Sequence, residues 1–322
     1  MALSEFSLIE QYFARLTTGR DDVTLGIGDD CAILRCPAGK ELAVSIDTLV
    51  DGVHFFSDVS PEALGYKSLA VSLSDLAAMG AEPAWFTLAL TLPEVNESWL
   101  QAFAKGLAGL ASQHNIQLVG GDTTRGPLTI SIQAHGLVDE GRALRRDGAK
   151  VGDRIYVSGC LGDAGAALRH RLEDWTPAEL KQADWAYLRQ RLEYPGPRNA
   201  LAGIIKPYAS AAIDISDGLL ADLGYILKRS GKGARVRLAQ LPLSDTLRKI
   251  SPQSARELAL SSGDDYELCF TVPETWVAEL ETDTDSITCI GEITQGDALL
   301  LEDESGQTTT IKSGTGYDHF GT

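Results

Sequence analysis

Strand-like and helix-like segments alternate along the whole chain, and no other feature narrows the possible folds as far. ELAVSIDTLV sets Leu42, Val44 and Ile46 on one face against Ala43, Ser45 and Asp47 on the other, the period of two that a strand requires. SPEALGYKSLAVSLSDLAAMGA follows, with Ser60 as an N-cap, Pro61 at the first helical position and an end near Gly80, Pro83 lying just beyond. WFTLALTL is expected as a strand and ESWLQAFAKGLAGLASQHN as a helix despite Gly106 and Gly109; IQLVGG and LTISIQAHGLV are expected as strands. Near GRALRRDGAKVGDRIYVSG the pattern restarts, which places a domain boundary around residues 140–150 and divides the chain into 1–140 and 141–322. The second half again mixes both elements: RIYVSG, a helix from about Asp163, SAAIDIS, DGLLADLGYILKRSG, YELCFTV and SITCIGEI. The class is α/β (α+β), two domains with mixed sheets flanked by helices.

Charge excludes several partners. The chain carries 45 Asp+Glu against 28 Lys+Arg, a net charge of −17, so a nucleic-acid or anionic-membrane surface is not expected. No apolar run approaches the roughly 20 residues that span a bilayer. MALSEFSLIEQYF has no basic stretch before an apolar core, so no signal peptide is read there. The five cysteines lack CxxC spacing and suit a reducing compartment. These features together predict a cytoplasmic protein.

Aspartates recur where apolar runs end or turn: GIGDD, VSIDT, LVGGDTT, IDISDG and SSGDDYE. Asp75 joins them from inside the first long helix. At 100° per residue Leu69, Leu73 and Leu76 share a face, while Asp75 lies on another beside Ser68, Val71, Ser72 and Ala78. A carboxylate in a helix that is apolar or small nearly all round is costly unless paired or metal-bound; the alternatives are a polar face against solvent or a buried Arg. Ser45 and Asp47, at i and i+2 on a strand, point the same way and suit two oxygen ligands of one cation. Asp214 and Asp217 close a strand and open a helix, where Asp217 could equally be a first-turn acid favoured by the dipole. Oxygen ligands without His or Cys clusters select Mg²⁺ or Mn²⁺, and Mg²⁺ is completed by water and substrate phosphates, which points to a polyphosphate substrate. Of the pair in GIGDD, Asp30 is read as the metal ligand and Asp29 as a support for the loop. SGCLGDAGAAL is either a phosphate-approaching turn or a tight strand–helix connection. No GxxxxGK[ST], GxSxG or kinase HRD/DFG set is present.

In chain order, GIGDDCA, SIDTLVDGVHF, SLSDLAAMGA, LVGGDTTRGP, GAKVGDRIYVSG, AIDISDGLLADL, SGDDYELCF and GYDHF together resemble the thiamine-monophosphate kinase family over nearly the whole chain. The resemblance implies an aminoimidazole ribonucleotide synthetase-like fold. Its N-terminal domain would bind ATP and Mg²⁺ and form a homodimer through its sheet, and its C-terminal domain would complete the active site. It implies ATP-dependent phosphorylation of thiamine monophosphate to thiamine diphosphate, the last step of that cofactor's biosynthesis. Asp30, Ser45, Asp47, Asp75, Asp122, Asp214 and Asp217 would collect several Mg²⁺ ions. Gly121, Asp122, Arg146 and Ser216 would line the ATP site, and His54, Asp264 and Phe320 would contact thiamine monophosphate. Two positions depart from the family pattern: Ile46 where a polar residue is common, so that any metal contact must come from backbone, and Asp264 where Glu is common. Arg125 is left open between phosphates and a neighbouring carboxylate.

No catalytic general base is expected, because a phosphomonoester is largely dianionic at neutral pH and attacks directly. The transfer is expected in line, without a phospho-enzyme. The competing readings are an ATP-dependent synthetase of the same fold, of the aminoimidazole ribonucleotide or selenophosphate type, and a non-catalytic nucleotide or cation sensor.

Overall fold

In the computed structural model, which describes residues 5–14, 16, 19–177 and 179–311, two units form. Unit one comprises Met1–Leu76 with Gly80–Ala143, and unit two comprises Ala77–Met79 with Leu144–Thr322.

Unit one runs α1 (Glu5–Tyr12), β1 (Val23–Leu25), β2 (Ile33–Leu34), β3 (Lys40–Val50), α2 (Pro61–Ala78), β4 (Glu82–Leu92), α3 (Glu97–Gln113), β5 (Gln117–Arg125) and β6 (Thr129–Asp139). β1 and β2 pair with each other, and the other strands form a sheet in the order β3-β6-β4-β5. It is mixed: β6 runs antiparallel to both β3 and β4, while β4 and β5 are parallel.

Helix α2 starts as its sequence requires, the Ser60 hydroxyl accepting from the Ala63 N–H at 3.2 Å. Leu69, Leu73 and Leu76 enter one core with Phe103 and Leu107 of α3 and Phe86 and Leu90 of β4. Each such side chain contributes roughly 1.5–3 kcal/mol when taken from water. The glycine in α3 that weakens its helical pattern has a packing reason. A Cβ on Gly106 would lie 1.9 Å from the Glu62 carbonyl oxygen, and one on Gly65 2.1 Å from that of Phe103, so α2 and α3 touch backbone to backbone.

The alternation in β3 is as read, but its apolar side is the open one. Leu42, Val44 and Ile46 are 47%, 52% and 64% exposed, whereas Ala43, Ser45 and Asp47 are partly covered. β4 begins three residues before WFTLALTL, with Pro83 at a register shift where a missing N–H is tolerated. β5 continues past the two glycines to Arg125.

Unit two contains β7 (Arg154–Ser158), α4 (Asp163–Arg171), α5 (Gln182–Glu193), α6 (Asn199–Ile205), β8 (Ala211–Ile215), α7 (Leu219–Ser230) and β9 (Gly233–Arg237). It continues with α8 (Asp245–Ile250), α9 (Ala255–Ser261), β10 (Glu267–Val272), α10 (Val277–Asp283), β11 (Ile287–Thr294), β12 (Leu299–Glu302) and β13 (Thr308–Ile311). The sheet order is β13-β12-β9-β11-β7-β10-β8, antiparallel except for the β12/β9 pair. Leu219, Leu223 and Ile226 of α7 pack with Ile213 of β8 and Cys269 of β10. Mixed sheets flanked by helices are thus present in both units. Among the described residues no helix is long and apolar enough to cross a membrane.

Candidate active site

In unit one, β3 and α2 bring four oxygen-bearing side chains together. Ser45 and Asp47 come from the covered side of β3, and Ser72 and Asp75 stand one turn apart on α2. The Ser45 hydroxyl donates to Asp75 Oδ2. The Ser72 hydroxyl donates to Asp47 Oδ2 at 2.7 Å. Burial, and then the negative charge of Asp75, push the Asp47 carboxyl up to about 6, with the Ser72 hydrogen bond pulling the other way. Asp75 therefore packs against β3 through Ser45. Two carboxylates that raise each other's energy, framed by hydroxyls, are a hard-oxygen donor set that a divalent cation fits.

The remaining predicted residues of unit one sit differently. Asp30 is exposed on the loop between β1 and β2. Asp29 turns back on that loop, its Oδ1 accepting from the Asp30 N–H at 2.8 Å, which is the supporting role read from the sequence. Strand register places Asp122 in a row with Ala89, Ser131 and Thr48, next to the row of Asp47, Ile132, Leu88 and Gly121. Adjacent rows face opposite ways, so Asp122 lies across the sheet from Asp47. Gly121 has φ +155°, and a Cβ there would sit 1.9 Å from the Leu88 carbonyl oxygen, so no other residue fits the crossing of β5 and β4. His54 closes the turn after β3, its Nδ1 accepting from the Val50 N–H at 3.0 Å; the neutral ring then carries its proton on Nε2. Arg125 Nε donates to the Pro93 carbonyl at 3.3 Å, a loop contact rather than the carboxylate pairing considered from the sequence.

Unit two gathers a second group. Asp214 is 3% exposed near the end of β8, and Ser216 and Asp217 follow on the turn into α7, half-buried. The Asp264 N–H donates to the Ser216 carbonyl at 2.9 Å and the Tyr266 N–H to that of Ile215 at 2.8 Å, so the SGDDY loop lies against this turn. Asp264 and Tyr266 are held in the left-handed region, at φ +67° and +49°. Such strain persists only where the surroundings over-determine it, and it clusters at functional loops. Between them Asp265 is 1% exposed, and its Oδ2 accepts from the Gly162 N–H at 2.8 Å. Burial pushes this carboxyl well above the usual carboxylate range. SGCLG is consequently a tight strand–helix connection: its Gly162 N–H is occupied, and a Cβ there would lie 2.7 Å from the Ala259 N. The exposed Arg146 stacks over the Tyr225 ring of α7 at 5.9 Å. Phe320 lies outside the described residues.

Among the described residues no three His, Cys, Asp or Glu side chains converge into a ready metal cage. The seven residues expected to collect metal ions therefore do not form one cluster within either unit.

Residues 28–138 match the family described as AIR synthase related protein, N-terminal domain, and residues 150–303 match the corresponding C-terminal domain. The thiamine-monophosphate kinase of Escherichia coli (strain K12) is 50% identical over 327 residues, covering 100% of each chain. The chain belongs to the thiamine-monophosphate kinase family. A crystal structure of the thiamine-monophosphate kinase from Stenotrophomonas maltophilia K279a superposes with a TM-score of 0.86 at 48% identity, over 96% of this chain and 99% of that one. AaThiL complexed with AMPPCP and TMP superposes with a TM-score of 0.77 at 33% identity, over 99% and 97%. Three residues of these two groups were not singled out from the sequence. Ser72 was named only as a small neighbour of Asp75; its i, i−3 relation to that acid was the available signal. Asp222 accepts from backbone N–H groups of the turn before its own helix and Asp265 from that of Gly162 on a distant loop, and only Asp222, a first-turn acid of α7, carries a local sign.

Proposed function

We propose that this chain transfers the γ-phosphoryl group of ATP to thiamine monophosphate, giving thiamine diphosphate and ADP, the last step in making that cofactor. The observation that carries this reading is full-length identity of 50% to a thiamine-monophosphate kinase, joined to the ability of the related AaThiL to hold AMPPCP with TMP.

In this reading Asp30, Ser45, Asp47, Asp75, Asp122, Asp214 and Asp217 hold several Mg²⁺ ions, which when bound neutralise phosphate charge and stabilise the transferring group. Ser45 and Ser72 keep Asp75 and Asp47 oriented by hydrogen bonds. Gly121, Asp122, Arg146 and Ser216 are assigned to ATP; Arg146 supplies a cation from an exposed position. His54, Asp264 and Phe320 are assigned to thiamine monophosphate, a carboxylate being suited to the cationic thiazolium ring. A phosphate oxygen of the acceptor attacks the γ-phosphorus in line. The bond to the β,γ-bridging oxygen breaks, and ADP leaves with the electron pair. With a second pKa of about 6 the acceptor is already dianionic, so no side chain need remove a proton. We place the reaction in the cytoplasm, where the five free cysteines remain reduced.

The acting species is assigned as a homodimer. β3 is an edge strand 11 residues long with an apolar outer face, and an uncovered strand of that kind is an aggregation hazard unless something packs on it. A second copy of the same strand is self-complementary. Val44→Asp should convert dimers to monomers in light scattering after size exclusion; dimers that survive V44D and I46D would move the interface elsewhere.

The direct test of activity is product analysis. Purified protein is incubated with Mg-ATP and thiamine monophosphate, or with free thiamine as control, and the thiochromes are separated by chromatography. Thiamine diphosphate is expected only with the monophosphate and Mg²⁺. Absence of product with ATP binding intact would overturn the kinase reading in favour of a synthetase or a sensor. Enzyme labelled by [γ-³²P]ATP without acceptor would overturn direct transfer.

A further inference from the structure

One carboxyl oxygen holds the whole turn between β8 and α7. Asp222 Oδ2 accepts from the backbone N–H groups of Ser216 at 3.0 Å, Asp217 at 3.0 Å and Gly218 at 3.1 Å. Successive N–H groups converging in front of a helix form an anion-binding nest, and α7, 12 residues long, adds the positive end of its dipole. A phosphate would be the ordinary occupant of such a place. Here the occupant belongs to the chain and is 2% exposed.

Ordinary helix capping does not require this arrangement. The N-cap is Gly218, which has no side chain to offer, and a capping box satisfies its own cap N–H alone. Asp222 reaches two residues further back, to the residues assigned above to ATP and metal. The turn is also fixed from its other side. The Asp264 N–H binds the Ser216 carbonyl, and Gly263 approaches so closely that a Cβ would be 2.2 Å from that same oxygen. Burial and the neighbouring Asp217 push the Asp222 carboxyl up to about 7, with the N–H donors pulling it down. Oδ2 is an acceptor in either protonation state.

We infer that Asp222 is a positioning residue for the phosphoryl transfer: it plugs the helix-terminal nest against phosphate and fixes the backbone that presents Ser216 and Asp217. Phosphates must then meet this end of unit two through the side chains of Ser216 and Asp217 and the cation they serve, not through the α7 N–H groups. The inference rests on the kinase reading for its assay and on geometry alone for its structural half.

The test compares Asp222→Ala and Asp222→Asn with wild type for thiamine diphosphate formation at varied Mg²⁺, with folding checked by circular dichroism. D222A orphans three donors, and the Mg²⁺ concentration for half-maximal rate should rise by about tenfold or more. D222N keeps an acceptor oxygen and should stay within about threefold of wild type. A purely structural role would lower the melting temperature of D222A and leave its Mg²⁺ requirement unchanged, which would overturn the inference. So would a D222N variant as impaired as D222A. If D222A does not fold, hydrogen exchange in the wild-type protein decides. Amides 216–218 should exchange as slowly as those of β8, and exchange at the rate of open loops would overturn the plug. Wild type that makes no thiamine diphosphate would sink the kinase reading while leaving the exchange result to judge Asp222.

Discussion

Replacing Gly106 and Gly109 by alanine should move stability in opposite directions, although both lie in α3 and only one turn apart. Each substitution brings about 1 kcal/mol of helix propensity. Gly109 is exposed and a Cβ there meets nothing within 4 Å, so the gain is kept, and the melting temperature should rise by about 3 °C. At Gly106 the new carbon would lie 1.9 Å from the Glu62 carbonyl oxygen and 2.8 Å from its carbon. Unstrained contact needs about 3.5 Å, so the helices must part by about 1.5 Å. Sliding does not relieve the clash, because Gly65 meets the Phe103 carbonyl at the same crossing. Overpacking against rigid backbone costs about 1–3 kcal/mol or more. A net loss of about 2 kcal/mol should lower the melting temperature by about 6 °C. Because α2 carries Ser72 and Asp75, G106A should also lose activity at temperatures where it is fully folded. Scanning calorimetry on the three proteins, with activity measured well below the transitions, decides the matter. A G106A protein at or above wild-type stability, or a destabilised G109A, would refute the backbone-contact account of this crossing.

Other outcomes follow from the two groups of side chains. Asp75→Asn retains an acceptor for the Ser45 hydroxyl but removes one of two facing charges. Its Mg²⁺ requirement should rise about 10–100-fold, whereas an unchanged Mg²⁺ titration would exclude Asp75 as a ligand. The folded-state pKa of Asp265 is raised, so the stability it contributes is complete below the ordinary value near 4 and is lost as pH climbs through the folded value. The melting-temperature difference between Asp265→Asn and wild type should therefore shift toward the variant as pH rises above the ordinary carboxylate range, and a constant difference would refute the sign. Glu267, with its side chain 1% exposed, is held by Arg191 at 3.0 Å and by Arg198. Arg191→Met should cost about 3 kcal/mol in denaturant unfolding, and less in an E267Q background, where one buried carboxylate fewer is left without it; equal losses would contradict the pairing.

The sequence made α2 legible because a cap, a first-turn proline and a nearly all-apolar surface agree there. β3 was equally visible as a strand, but alternation names two faces without saying which is covered. The covering helix contributes Ser72 and Asp75, and that decision is tertiary. β9, β12 and β13 escaped notice for a related reason. GARVR looks unlike an interior strand until Arg235 is found beside Glu292 and Glu302 on neighbouring strands, while Ala234 and Val236 fill the core. β5 outran its glycines because the close approach to Leu88 that favours Gly121 is invisible locally. At the site the same division holds. Asp30, Asp47, Asp75 and Asp217 were legible as acids ending apolar runs or interrupting one. Asp222 and Asp265 were not, because their partners are backbone N–H groups, which no side-chain pattern marks; those of Asp222 lie on the turn before its own helix, and that of Asp265 on a distant loop.

The run Gly-Asp-Asp occurs at 28–30 and again at 263–265, and a different aspartate of each copy binds backbone. In the first, Asp29 ties the loop through the Asp30 N–H, and Asp30 is exposed. In the second the order is reversed: Asp265 is buried on the Gly162 N–H, and Asp264 is the more open residue, in a left-handed conformation. Identical letters thus divide the labour by which carboxyl reaches a donor that cannot move away. An acid satisfied by backbone N–H groups or by arginine, such as Asp29, Asp222, Asp265 or Glu267, stabilises a loop. Asp47 and Asp75, set against each other and framed by serine hydroxyls, gain most from a cation. Sorting carboxylates by the partner they already have, not by their number, is what lets a chain of net charge −17 be read as a handler of polyphosphates.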